Sequence, residues 1–137
     1  MTPKQIDLVQ RSWSEVLSLG EIAIHMFYER LFFLDPSLRP MFRGDMREQR
    51  RKVMAMISFT VAGLNRIDEI IPGVKSLGRR HAGYGVRDEH YGTVGAALLW
   101  TLEQGLGEAF TPAVRDAWTT AYGVLANTMK DAGKLAA

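Results

Sequence analysis

The sequence predicts an all-α fold. Apolar residues recur at three- and four-residue spacing along nearly the whole chain. No segment alternates apolar and polar residues with period two over a useful length, which argues against strands. Pro, Gly, Asp and Thr punctuate the periodic stretches and leave only short loops between them. The 137 residues are expected to form one domain, 1–137, and the 47% apolar content suffices for a packed core.

Each element has a local reason. Thr2-Pro3-Lys4-Gln5 reads as a capping box with proline in the first turn, and Ile6, Val9 and Trp13 share the face that follows. Gly20 punctuates, and a second helix runs to about Leu34 with Ile24, Phe27, Tyr28 and Leu31 on one stripe. Asp35-Pro36 stops it and caps a short turn ending near Met41-Phe42, before an Arg43-Gly44-Asp45 loop. A long helix is expected from Met46 to Asn65, with Gln49, Val53, Ile57, Val61 and Leu64 on its seam. Pro72-Gly73 is expected to open the next, with Val74, Leu77 and His81 on one face and Gly83 and Gly85 at its end. Asp88 is expected to cap a helix carrying Tyr91, Val94, Leu98 and Leu102, which ends at Gly105 and Gly107. Thr111-Pro112 opens the last, with Trp118, Tyr122, Leu125 and Met129 in a stripe. There is no repeat or low-complexity tract.

Composition removes several chemistries. With no cysteine there is no disulfide, thiolate metal site or cysteine nucleophile. Three histidines would have to gather almost entirely to make a zinc site. No GxSxG elbow, phosphate-binding glycine loop or HExxH motif is present. Seventeen Lys and Arg against fifteen Asp and Glu leave a net charge of +2, too small to argue for nucleic acid. The clusters Arg47, Arg50, Arg51, Lys52 and Lys75, Arg79, Arg80 read as solvated helix faces. The uncharged stretch Ala117 to Met129 is too short and too polar to span a membrane, and the N-terminus lacks the pattern of a secretory signal. A cytoplasmic protein that engages neither membrane nor nucleic acid is expected.

Polar residues on apolar stripes carry the remaining information, because burying one without a partner costs about 1–3 kcal/mol. His81 follows Val74 and Leu77 on an inward face, and Gly78 leaves room for a bulky group to approach. It reads either as a core histidine satisfied by one hydrogen bond or as a metal ligand whose other nitrogen is held by a carbonyl one turn back. Gln49, Tyr28, Tyr91 and Tyr122 also face inward, each with an ordinary structural reading. His25 and His90 fall off the stripes and read as surface histidines. A lone inward histidine does not hold a bare metal ion. It suffices where a macrocycle supplies the other ligands, which points to haem.

The sequence resembles the globins, in particular single-domain bacterial globins of the flavohaemoglobin and neuroglobin-like lineage. The motifs are the run from Leu77 to Val86, His90-Tyr-Gly-Thr-Val-Gly, Gly107 to Trp118, and Ala121-Tyr-Gly-Val-Leu-Ala-Asn127. Upstream they are Phe27-Tyr-Glu-Arg-Leu-Phe32, Asp35 to Phe42, and Gln49-Arg-Arg-Lys-Val-Met54. The resemblance covers nearly the whole chain. It implies the 3-over-3 globin packing of seven to eight helices and haem b as cofactor.

By the same resemblance, His81 is the proximal iron ligand, and Phe42 packs on the haem at the corner. Gln49, 32 residues before His81, takes the distal position, with Val53 on the apolar distal wall. Tyr28 donates a hydrogen bond to the bound ligand. Val86, Tyr91, Val94 and Leu98 are further haem contacts. Lys52 and Arg80 read either as partners of its propionates or as solvated charges. Two donors, Tyr28 and Gln49, should slow release of O2 and favour CO less, because CO is less polar. Glutamine is a poor iron ligand, so an open or water-bound sixth position is expected. Tyr91 matches a tyrosine that pairs with a carboxylate near the chain end, but that position falls near Leu135 and the nearest acid is Asp131. The expected partners are O2, CO and NO. No flavin or nicotinamide module accompanies the motifs, so NO dioxygenation or a weak peroxidase activity would need a separate reductase. A haem-based sensor is the further alternative.

Overall fold

The computed structural model describes residues 1–42 and 44–136, with the side chains at 135 and 136 left aside. Among the described residues there are six α-helices: α1 (Pro3–Leu17), α2 (Glu21–Leu34), α3 (Met46–Ala62), α4 (Ile67–Gly83), α5 (Asp88–Leu106) and α6 (Pro112–Ala136). Three short 3-10 segments join them, at Pro36–Met41, Leu64–Arg66 and Gly107–Ala109. None of the helices is long and apolar enough to cross a membrane.

Helix α1 starts on the expected box, in which the Thr2 hydroxyl accepts the Gln5 N–H and the Gln5 side chain accepts the Thr2 N–H. Two indoles fasten it to the rest of the molecule. Trp13 donates to the Ser58 hydroxyl of α3 at 3.0 Å, and Trp118 of α6 donates to Ser12 at 2.8 Å. Asp35 caps the turn after α2 by accepting the Ser37 N–H, and Asp45 opens α3 by accepting the Arg47 N–H.

Three boundaries depart from expectation. Helix α3 ends at Ala62 rather than Asn65, and a 3-10 turn follows because Gly63 lies against the Ile70 side chain. Helix α4 opens at Ile67 and runs through Pro72 instead of starting there. The ring removes only the bond to the Asp68 carbonyl, on an exposed residue of the first turn where water can replace it. Ile70 and Val74 are both buried and straddle the proline at four-residue spacing, so packing carries the helix across it. In α5, Asp88 is the first helical residue and Arg87 is the cap, its N–H donated to His90 Nδ1 at 2.9 Å.

Helix α6 packs on α1, α4 and α5, α2 packs on α5, and α3 packs on α1 and α2. The most extensive packing is between α4 and α6, followed by α2 with α5 and α1 with α6. The main core holds Val9, Val16, Leu31, Ala97, Leu102 and Ala117, all nearly inaccessible. A second cluster under α4 contains Val74, Tyr91, Ala126 and Met129. Gly78 explains the closeness of α4 and α6. A Cβ there would stand 2.6 Å from the Met129 Cα, so the room at Gly78 is filled by the α6 backbone and not by a cofactor. Gly133 repeats the device one helical turn on, against Ala82.

Gly78→Ala is therefore expected to destabilise the chain by about 1–3 kcal/mol, since the obstacle is backbone and cannot move aside. Gly92→Ala, in α5 with open space around it, should instead be neutral or stabilising by up to about 1 kcal/mol. Urea unfolding of the two variants checks the contrast.

Candidate functional site

Between α3 and α4 a cavity runs inward past α2 to α5 and α6. Its walls are almost wholly apolar: Phe27, Leu31, Leu38, Phe42, Val53, Ile57, Val94 and Leu98 among others. The polar side chains that reach it are Tyr28, Gln49, Thr60, His81, His90, Tyr91, Trp118 and Tyr122. An apolar cleft with a few convergent polar groups has the form of a small-molecule site.

His81 stands near the C-terminal end of α4 and is half-buried. Its Nδ1 bonds the Leu77 carbonyl at 2.9 Å, one turn back. A carbonyl only accepts, so Nδ1 carries the proton and Nε2 keeps its lone pair for a ligand. Burial lowers the imidazole pKa most, the Leu77 bond opposes that shift, and the Arg80 charge adds to it. The ring is thereby held neutral, the state a metal ligand requires.

Tyr28 is 4% exposed on the inward face of α2. Phe27 meets its ring nearly edge-on at 5.2 Å, and Phe42 does so at 5.4 Å from the turn before α3. These contacts fix the ring. Its hydroxyl is buried with no partner at hydrogen-bond geometry; burial pushes its pKa up to about 12, while the Gln49 side chain, near enough to interact with the hydroxyl, and the Arg50 charge work against the rise. Buried polar atoms are seldom left unpaired, so this hydroxyl is a donor held in reserve. Gln49, one turn into α3, lies half-buried on the same cavity.

Around His81, Val86 and Tyr91 line the cavity. Tyr122 donates to the Tyr91 carbonyl at 2.6 Å, and its ring lies against Gly95, where no side chain would fit. Burial raises the pKa of both tyrosines. The Lys130 ammonium lies 5.9 Å from the Tyr91 ring centroid, the Asp88 charge adds to the rise of the Tyr91 pKa, and Asp131 is exposed. The side chain at Leu135 lies outside the described residues.

Nine residues singled out in the sequence thus meet at one cavity: Tyr28, Phe42, Gln49, Val53, His81, Val86, Tyr91, Val94 and Leu98. Lys52 and Arg80 are exposed and stand outside its lining. His90 corrects the reading as a surface residue. It is 8% exposed and lines the cavity, because it lies four residues before Val94 and eight before Leu98 on the same stripe. The charged neighbours Asp88 and Glu89 obscured that spacing. His25 is exposed, as expected.

Residues 25–129 match the family model described as Globin. The chain belongs to the globin family. It is 33% identical to a flavohemoprotein of Bacillus subtilis over 127 residues, 90% of this chain and 32% of that protein. A flavohemoprotein of Bordetella parapertussis is 32% identical over 132 residues, 94% of this chain and 33% of that one. The chain therefore spans about a third of the length of these curated relatives. A bacterial globin from Campylobacter jejuni superposes with a TM-score of 0.82 at 27% identity, covering 98% of this chain and 97% of the other. An engineered carbene transferase from Rhodothermus marinus superposes at 0.87 with 21% identity over 98% and 94% of the two chains, a likeness of fold alone. The helices described above form an all-α globin fold.

The raised Tyr28 pKa has a measurable consequence for this globin. Its folded value lies above the unfolded one, so its contribution to stability is full below about pH 10 and is lost as pH rises toward 12. Between pH 8 and 11 the cofactor-free wild type should lose about 1 kcal/mol more stability than Tyr28→Phe. Urea unfolding at the two pH values measures the difference.

Proposed function

We propose that this globin binds haem b through His81 and holds O2 beside Tyr28 and Gln49, releasing it slowly. The observation that carries the proposal is the Tyr28 hydroxyl, buried without a partner on the cavity that His81 also lines. An unpaired buried donor costs about 1–3 kcal/mol, and a ligand that accepts from it repays that cost. The donor set fits haem. The His81 imidazole, its Nδ1 held by Leu77, leaves Nε2 free for a ligand, and among the described residues no group of three or more His, Cys, Asp or Glu could hold a bare metal ion.

Haem would supply an iron that binds a diatomic gas. The chain supplies the rest. Leu77 fixes the His81 ring and its proton at Nδ1, which raises the basicity of the other nitrogen. Phe42, Val53, Val94 and Leu98 give the macrocycle apolar surface and keep water out. Tyr28 stays protonated across the physiological range and donates through its O–H, and Gln49 donates through its amide. O2 draws more negative charge than CO, so these donors favour O2. Lys52 and Arg80, exposed beside the cavity residues Val53 and His81, serve the carboxylate edge of the cofactor.

The distal pair is tested by O2 dissociation from the haem-loaded protein. Removing a buried hydrogen bond of about 1–1.5 kcal/mol should speed release roughly tenfold in Tyr28→Phe, and by a similar factor in Gln49→Leu. Unchanged rates in both would overturn the assignment of the two donors.

A further inference from the structure

Helix α2 is apolar on two opposite faces, and the fold covers one of them. Ala23, Ile24, Phe27, Tyr28 and Leu31 are buried against the rest of the molecule. Ile22, Met26 and Phe33 follow one another at four- and seven-residue spacing on the other side. Ile22 is 66% exposed and Phe33 71%, among the most exposed large apolar side chains of the chain. They stand about 16 Å apart along the helix axis, with half-buried Met26 between them. A surface helix ordinarily turns a polar face outward, and one that is apolar all round belongs in an interior. A single exposed apolar residue needs no explanation, but a stripe of them along one helix marks a contact surface.

The charge on this stripe sits at its middle. Glu29 lies between Met26 and Phe33, is exposed, and enters no ion pair among the described residues. Arg30 beside it is half-buried and likewise without an ion pair. Its Cζ stands 4.9 Å from the centroid of the Phe33 ring and 5.0 Å from that of Trp100 on α5, so two aromatic rings hold the cation at the edge of the stripe. Its Nε is buried without a hydrogen-bond partner. Buried polar atoms are seldom left so, and an arginine held among Phe and Trp has the composition of an interface hot spot.

We propose that the outer face of α2, with Trp100 of α5, is the surface through which two copies of this chain pair about a two-fold axis. The order of the charges commits the occupant to a second copy. An isologous contact uses the same patch twice, so an acid and a cation adjacent on one helix each find their opposite on the other copy. Two α2 helices run antiparallel, with the axis beside Glu29 and Arg30, place Glu29 of each copy against Arg30 of the other. The same register sets Phe33 of each copy on Met26 of the other, three residues out from the axis on either side. One contact thus covers the apolar stripe and brings a carboxylate to a guanidinium that has none in its own chain. An acidic partner or an anionic lipid surface would meet Glu29 with like charge, and a basic partner would do so with Arg30. The net charge of +2 leaves little repulsion between copies. The pairing does not depend on the haem reading.

Sedimentation velocity of the purified chain from about 5 to 500 µM tests the proposal. The wild type should pass from 15.4 kDa to twice that mass as its concentration rises. Phe33→Glu, at an exposed position outside the cavity, should weaken the dimer about tenfold or more. Its urea midpoint should match the wild type at a concentration where both are monomeric. Glu29→Arg and Arg30→Glu should each weaken the dimer by a similar factor when alone, because like charges then meet beside the axis. An equimolar mixture of those two variants should pair nearly as well as the wild type, since each again faces its opposite. A wild type that stays at 15.4 kDa at the highest concentration overturns the proposal. So does a dimer indifferent to all three substitutions, which pairs through another face, and so does a mixture no stronger than its components. Binding to phosphatidylcholine vesicles that Phe33→Glu abolishes, by a chain that remains monomeric, overturns it in favour of a lipid surface.

Discussion

The close crossing of α4 on α6 at Gly78 is the constraint on which the site depends. Two backbones meet where a single methyl group would collide with Met129. His81 lies three residues further along α4, so its position is set by a rigid contact rather than by a loop. Leu77, one residue before the glycine, then fixes the ring through its carbonyl. A helix-borne, hydrogen-bonded histidine holds its orientation without a ligand present, and such preorganisation lowers the cost of binding one.

The other side of the cavity is built differently. Tyr28 is placed by aromatic packing against Phe27 and Phe42, with its hydroxyl left without a partner. Gln49 sits near the N-terminal end of α3, after a loop, and is half-buried. One wall is thus rigid and apolar around a neutral imidazole, and the other carries an unpaired donor beside a more exposed amide. That asymmetry suits a macrocycle fixed on one side and a small ligand admitted on the other.

Much of this was legible in the sequence, for identifiable physical reasons. Helical periodicity is dictated by burial, so Tyr28, Gln49 and His81 declared themselves as polar residues where packing demanded apolar ones. The globin motifs then supplied one common partner for all three. What stayed hidden depended on tertiary context. Pro72 reads as a helix start by local chemistry, but the buried pair Ile70 and Val74 carries α4 through it. Gly78 reads as space for a ligand, and the space belongs to α6. His90 was masked by its charged neighbours, although its spacing to Val94 placed it on the cavity wall.

The central claim is that His81 alone anchors haem from this chain, and ligand replacement tests it most directly. His81→Gly removes the imidazole and keeps the Gly78 crossing intact. The account predicts that this variant loses the ferrous Soret spectrum of the wild type and regains it, saturably, when free imidazole is added. A wild-type spectrum retained without imidazole would contradict it and would move the anchor to another residue of the cavity, with His90 the first candidate.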